Sequence, residues 1–379
     1  MDDSRSCSQP SISPQACGPQ LQLQIAARTD VGLQRSSNED KALVATLSGT
    51  SHGAPFTGSA DVRTEGVVLA ICDGMGGAAG GEVASEEAVD VLYAQLSRRR
   101  EVERASKALA PQLVEALHLA GKTIHAHARL DPSLKGMGTT ATVAVLADER
   151  VILGQVGDSR AYLLRRGTLT QLTRDQSLAQ MLIEQGRLLP EEVESFVGAN
   201  IILQAVGTND HLEVDVREVE LTGGDVLLLC SDGLSGPVGA ADLQAVLAAV
   251  PDPGAACDEL IRRALAAGGP DNVTCIVARV LGERLDLEVA PIPERVVFEP
   301  PEQTPPPEPA LDARPTAQSS RAEKRGGAAV DQEEERPGDA EESGAAGKSK
   351  QDCMRRLASI FGLTIAVSLF VGLALALHG

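Results

Sequence analysis

Tryptophan is absent from these 379 residues, and Tyr and Phe number only two and five. So few rings exclude a surface that binds by stacking bases or sugars. Basic residues are also short. Against 53 Asp and Glu stand 34 Lys and Arg, a formal charge of −19, which excludes nucleic acid as a partner because phosphate backbones are held by clustered cations. Cysteine pairing is missing too: Cys7, Cys17, Cys72, Cys230, Cys257, Cys275 and Cys353 show no C-x-x-C spacing. That argues against a thiolate zinc site or a disulfide framework and fits reduced thiols in the cytosol. Residues 1–20 are polar, with no apolar run behind a basic start, so a disordered arm without a secretory signal is expected there.

One long apolar run is present. Leu357–Leu377 is a stretch of 21 residues without a charge, enough to cross a bilayer. Lys348, Lys350, Arg355 and Arg356 precede it, so the expectation is a single-pass transmembrane helix over 357–377 with everything upstream in the cytoplasm, at the inner membrane. Residues 283–356 are rich in Pro and Glu and poor in apolar clusters, the composition of a disordered linker. Between Glu283 and Arg356 lie 17 acidic and 11 basic residues. The linker thus carries −6, and −13 belongs to the region before it.

Residues 21–282 carry the folding pattern. Strands are expected at Leu21–Ala27, Ala42–Leu47, Val67–Cys72, Thr140–Leu146, Val151–Val156, Arg160–Leu164, Leu212–Val219, Val226–Cys230 and Thr274–Val280, with a hairpin at Arg165–Gly167. Helical spacing runs through Gly81–Leu96, Glu103–Leu130, Ala241–Val250 and Ala255–Ala267. Grouped strands favour an α+β sheet sandwich over a Rossmann-type sheet.

The chemistry lies in where the acids fall. VVLAICDGMGG and VLLLCSDGLSG are apolar strands that end in Asp73–Gly74 and Asp232–Gly233. VILGQVGDSR ends in Asp158, GGPDNVT sets Asp271 before a strand, and RSSNEDKALV sets Glu39 and Asp40 at the entry to another. A lone Asp–Gly is a turn signal. Five acidic sites at the ends of apolar strands would repel one another unless a cation offset them. Oxygen-only ligands select Mg²⁺ or Mn²⁺. Gly74 could add its carbonyl, and Asp40, with Glu39 on the opposite strand face, is the better-placed of that pair. Arg35, five residues before Asp40, suits a phosphate as a planar donor.

R-x-x-N-E-D (Arg35–Asp40), D-G-M-G-G (Asp73–Gly77), M-G-T-T (Met137–Thr140), G-D-S-R (Gly157–Arg160), S-D-G-L (Ser231–Leu234) and D-N-x-T (Asp271–Thr274) occur in this order. Together they resemble the metal-dependent serine/threonine protein phosphatases of type 2C in their bacterial form. The resemblance implies a four-layer α-β-β-α sandwich of two antiparallel sheets flanked by helices, with a two-ion Mn²⁺ or Mg²⁺ centre at one edge. It implies that Asp73 bridges the ions, that Asp232 and Asp271 hold one and the Gly74 carbonyl the other, and that Asp40 holds metal-bound water. Arg35 would grip the substrate phosphate, and Asp158 with Asp232 would form a weaker third-metal site. Ser177–Asn200 resembles the flap of bacterial members. The implied partners are phosphoserine and phosphothreonine proteins, among them Ser/Thr kinases and their substrates. Met75 stands where many eukaryotic members have a His, and Gln176 and Gln204 replace a usual His and Arg around the flap, which points to altered substrate preference.

Other signals carry less. GMGGAAGG lacks the G-K-[ST] of a P-loop, and GLSGP lacks the last Gly of a nucleophile elbow. His125 and His127 diverge on a helix, and Arg98–Arg100 reads as a solvated helix end. Two rivals remain at this stage: an inactive phosphoprotein-binding scaffold of the same fold, and a phosphohydrolase of small molecules.

Overall fold

The computed structural model of the protein describes residues 21–76, 80–97, 109–209, 211–283 and 296–298. The chain divides after Pro305 into two units, and every described residue belongs to the first. The expected N-terminal arm, nearly all of the linker, Arg98–Arg100 and the apolar segment 357–377 lie outside the described residues. Among the described residues no helix is long and apolar enough to cross a membrane.

The chain runs β1 (Gln22–Asp30), β2 (Asp40–Thr46), β3 (Ser51–His52), β4 (Phe56–Asp61), α1 (Val62–Glu65), β5 (Val67–Met75), α2 (Gly80–Ser97), α3 (Leu109–Leu130), β6 (Gly138–Thr139), β7 (Ala141–Ala147) and β8 (Arg150–Val156). It continues through β9 (Arg160–Arg165), β10 (Thr168–Gln171), α4 (Leu178–Glu184), β11 (Val214–Glu220), β12 (Val226–Cys230), α5 (Asp232–Ser235), α6 (Ala240–Ala249), α7 (Pro253–Ala266), β13 (Val273–Leu281) and β14 (Val296–Phe298). Six strands form one sheet in the order β10-β9-β12-β13-β1-β4. Eight form the other, β14-β11-β8-β7-β5-β2-β3 with β6 beside β5. The pairings are antiparallel.

Three apolar clusters make this a four-layer α-β-β-α stack. Alternation along β5 explains two of them. Val68, Ala70 and Cys72 pack with Ala84, Ala88 and Leu92 of α2 and with Leu113 and Leu117 of α3. Val67, Leu69 and Ile71 face the opposite sheet, where they meet Leu23, Ile25, Leu227 and Leu229. On the far side, Val226, Leu228 and Cys230 of β12 pack with Leu243 and Leu247 of α6 and Leu260 of α7. Central strands covered on both faces read as unbroken apolar runs, which is why β5 and β12 are legible in the sequence.

The expected strands and helices recur within a few residues; of the helix expected at Glu103–Leu130, the described part begins at Leu109. Asp232, at the end of an expected strand, begins the short helix α5, with Ser231 as N-cap. Strand β4 (FTGSAD) was not expected, because as a half-exposed edge it needs no apolar run.

Candidate metal centre

The register of β2 on β5 sets Asp40 directly opposite Asp73. Both lie on the strand face that looks toward the other sheet, in step with Ala42 and Val44 on β2 and Leu69 and Ile71 on β5. Like charges opposite one another on neighbouring strands repel. The second sheet brings two more acids to this end, since Asp232 follows β12 and Asp271 precedes its neighbour β13. Asp158 sits where the chain crosses from β8 in one sheet to β9 in the other. Five acids distant in sequence thus converge at the open end of the inter-sheet core.

Their protonation reports the crowding. Burial, with Asp232 and Asp271 nearby, pushes the Asp40 carboxyl up to about 7. Asp158 is also pushed up to about 7, by burial and then by Asp232. Asp73 is raised well above the ordinary carboxylate range by burial and by Asp40, Asp232, Asp158 and Asp271. Asp232 is raised by burial and by Asp271, an effect eased by a side-chain hydrogen bond with Asp73.

The donor set fits a hard divalent cation. Buried carboxylate oxygens Oδ1 of Asp40, Asp158 and Asp232 have no hydrogen-bond partner, and a group left in that condition is costly. Among the described residues no three His, Cys, Asp or Glu side chains are gathered into a closed ligand shell. The acids are near enough to raise one another, and Asp271 is paired with Arg35, whose Nη2 donates to Oδ2 at 2.6 Å. Gly74 is tightly enclosed: a Cβ there would lie 2.1 Å from the Gly81 carbonyl oxygen. Its N–H donates to the Glu39 carbonyl at 3.1 Å.

Each candidate residue can now be located. Asp40, Asp73, Asp158, Asp232, Asp271 and Gly74 come together, and half-exposed Arg35 stands at their rim, on Asp271. Glu39 was expected to face away from Asp40. Its Oε2 lies by Gly81 at the start of α2, on the helix side of the sheet, and its carboxyl, raised mainly by burial, lies near Arg35, Asp271 and Glu82. His125 and His127 do diverge, to the Gly207 carbonyl and to Glu87.

The remaining polar letters of the motifs form the frame that sequence reasoning left without a role. Ser231 Oγ donates to Asp40 Oδ2 at 2.8 Å instead of capping α5. Thr140 Oγ1 accepts from the Asp73 N–H (2.9 Å), while Thr139 Oγ1 and the Thr140 N–H donate to the Asp73 carbonyl (2.9 and 2.8 Å). Asn272 Oδ1 accepts from the Glu39 N–H at 2.8 Å, and its Nδ2 donates to the carbonyls of Val31 and Ser37, both at 2.9 Å. Every one of these residues is the spare Ser, Thr or Asn of a motif, which is the signal that would have found them.

A cavity of about 560 Å³ opens from the acids to the segment expected as a flap, which contains α4 and a 3₁₀ turn at Pro190–Ser195. Arg35, Asp158, Asp232 and Asp271 line one side, and Gln180, Ile183, Val193 and Asn200 the other. Arg160 also lines it, its guanidinium paired with Asp175 at 2.6 Å. Gln176, expected to affect substrate preference, is buried against Gly157 instead, at the metal side.

The raised carboxyls set the pH response of chelator-treated protein. An unfolded Asp loses its proton near pH 3.9, whereas folded Asp40 and Asp158 keep theirs to about 7. The folded chain binds more protons across that window, so stability falls as pH rises through it. Melting temperature in chelator is expected to drop between pH 5 and pH 8, by the equivalent of a few kcal/mol, and Asp40→Asn should flatten the drop. A melting temperature that is level or rises over this range contradicts the assignment.

The sequence model of the protein phosphatase 2C family matches residues 56–267. The chain is 39% identical over 261 residues to the serine/threonine protein phosphatase PstP of Mycobacterium tuberculosis, covering 69% of this chain and 46% of that protein, so it spans about half the length of that relative. It is 33% identical over 250 residues to the serine/threonine phosphatase stp of Listeria innocua, covering 66% of this chain and 93% of the relative. The crystal structure of the PstP catalytic domain in complex with two manganese ions superposes with a TM-score of 0.57 at 37% identity, over 69% of this chain and 99% of that one. By sequence over more than half its length, and by backbone over its folded region, this chain belongs to the protein phosphatase 2C family.

Proposed function

We propose that the chain is a metal-dependent protein phosphatase that hydrolyses phosphoserine and phosphothreonine, with Mn²⁺ or Mg²⁺ held by Asp73, Asp232, Asp271, the Gly74 carbonyl and, through water, Asp40. A third, weaker site would use Asp158 and Asp232. The observation that carries this reading is the set of buried, unpartnered oxygens on Asp40, Asp158 and Asp232 beside an open cavity. When bound, such ions acidify water and offset the charge of a phosphate.

The chain's own residues supply the rest. Ser231 fixes the rotamer of Asp40, so that only its Oδ1 is free to orient a water. Arg35 is half-exposed and reaches the cavity, where its planar fork suits phosphate oxygens once Asp271 is engaged elsewhere. No thiol nucleophile serves here: Cys72 and Cys230, beside Asp73 and Asp232 in sequence, are fully buried and pushed up to about 12. Met75, at the exposed tip of β5, has no proton to donate to the departing serine or threonine oxygen. Phosphoproteins, including Ser/Thr kinases and their targets, are the proposed substrates.

The full-length chain, assayed on phosphothreonine peptides with Mn²⁺, should turn over and lose activity with chelator; Asp232→Asn should cost at least 100-fold. Activity that survives both treatments would sink the two-ion reading. No activity with any divalent metal would favour the scaffold.

The uncharged run at 357–377 after a basic cluster supports anchoring to the inner membrane, with the catalytic domain in the cytoplasm and residues 283–356 as tether. The full chain should sediment with membranes and resist extraction by salt, and deletion of 357–377 should release it. Equal sedimentation of both forms would rule the anchor out.

A further inference from the structure

Asp158 owes its position to a turn gripped from two sides. Gly157 is left-handed (φ +98°), and a Cβ there would lie 2.7 Å from Thr140 Cγ2. From the sheet side, buried Gln155 donates through Nε2 to the carbonyls of Gly157 (3.0 Å) and Ser159 (2.8 Å), while its Oε1 accepts from the Thr142 hydroxyl (2.7 Å). From the flap side, buried Gln176 takes both polar groups of Gly157. Its Oε1 accepts from the Gly157 N–H at 2.8 Å, and its own N–H donates to the Gly157 carbonyl at 2.9 Å.

Gln176 reaches further. Its Nε2 donates to the Glu213 carbonyl at 3.3 Å, next to the start of β11. Its carbonyl accepts from the Leu203 N–H at 2.7 Å, where the chain returns from the flap, and the adjacent Ser177 bridges to Ile202. One residue therefore ties both ends of the flap to the turn that carries Asp158.

We propose that Gln176 is a positioning residue for the divalent-ion site built on Asp158, its side-chain amide holding the Gly157–Asp158 turn so that the buried Asp158 carboxyl stays beside Asp232. Without that amide the Gly157 N–H loses its acceptor in a buried setting, and the turn must rotate to find another. Asp158 rotates with it. The two tighter sites depend on it less directly: Asp40 is framed by Ser231, and Asp73 by Thr139 and by Thr140, whose hydroxyl alone reaches the turn, at Ser159 Oγ (2.8 Å). This inference rests on the proposed assignment of Asp158 to the third ion.

Mn²⁺ binding to the purified full-length chain, followed by the loss of the free-ion paramagnetic resonance signal, tests it. Gln176→Leu should weaken the third, weaker binding event at least tenfold and leave the two tighter events unchanged. Gln176→His, whose ring can accept on one side and donate on the other, should restore the third event. If Gln176→Leu does not fold, Gln176→Asn, too short to reach Gly157, carries the same expectation. A third event equal to wild type in these shortened or apolar variants overturns the proposal, as does a loss spread over all three events or a loss in Gln176→His as large as in Gln176→Leu. Asp158→Asn separates the two layers: if it leaves the third event intact, the assignment of Asp158 falls and this inference with it. If Asp158→Asn abolishes the event and Gln176→Leu does not, only the inference falls.

Discussion

The structure depends on one electrostatic conflict: antiparallel register forces Asp40 against Asp73 at the mouth of the inter-sheet core, and the other sheet delivers Asp232 and Asp271 to the same place. Buried carboxylates at such spacing cannot all be charged in the absence of a cation. The fold could relieve this by placing basic side chains among them, as it does for Asp225 with Arg165 and for Asp175 with Arg160. At the centre it does so weakly, through Arg35 on Asp271 and through Arg160, which is paired with Asp175 and eases Asp158 and Asp232 only in part. The acids are held in mutual repulsion by the strands, and a divalent cation is the partner that resolves it.

The surrounding architecture makes sense as the means of keeping that conflict in place. Three apolar clusters immobilise the two sheets, so the strand ends cannot drift apart to relax the charge. A frame of neutral hydroxyls and amides then holds Asp40, Asp73, the Glu39 backbone and the turn that carries Asp158 without neutralising them. Ser231, Thr139, Thr140, Asn272, Gln155 and Gln176 contribute no charge, yet they orient the backbone or carboxyl of every acid they touch. Burial by the sandwich and orientation by this frame leave three carboxylate oxygens unpartnered where an ion would meet them.

Much of this was legible in the sequence for a physical reason. Central strands buried on both faces give unbroken apolar runs, and an acid at the end of such a run is conspicuous, so Asp73 and Asp232 stand out. Their convergence with Asp40, Asp158 and Asp271 was legible only through the ordered motifs, since spacing along the chain does not encode register. Edge strand β4 was hidden because it needs no apolar pattern. Glu39 lies by Gly81 of α2 while Asp40 faces the other sheet, as alternation of neighbouring residues suggests. Gln176 borders the flap in sequence, and its grip on Gly157 depends on a contact across 19 positions that no local pattern announces.

Buried acids at this end hold protons that a divalent cation displaces. Calorimetric titration of the full-length chain with Mn²⁺ in buffers of differing ionisation enthalpy counts those protons directly. Net proton release on binding is expected, larger at pH 6 than at pH 8.5 and reduced in Asp73→Asn. Binding with no proton release at pH 6, or release unchanged in Asp73→Asn, would contradict it.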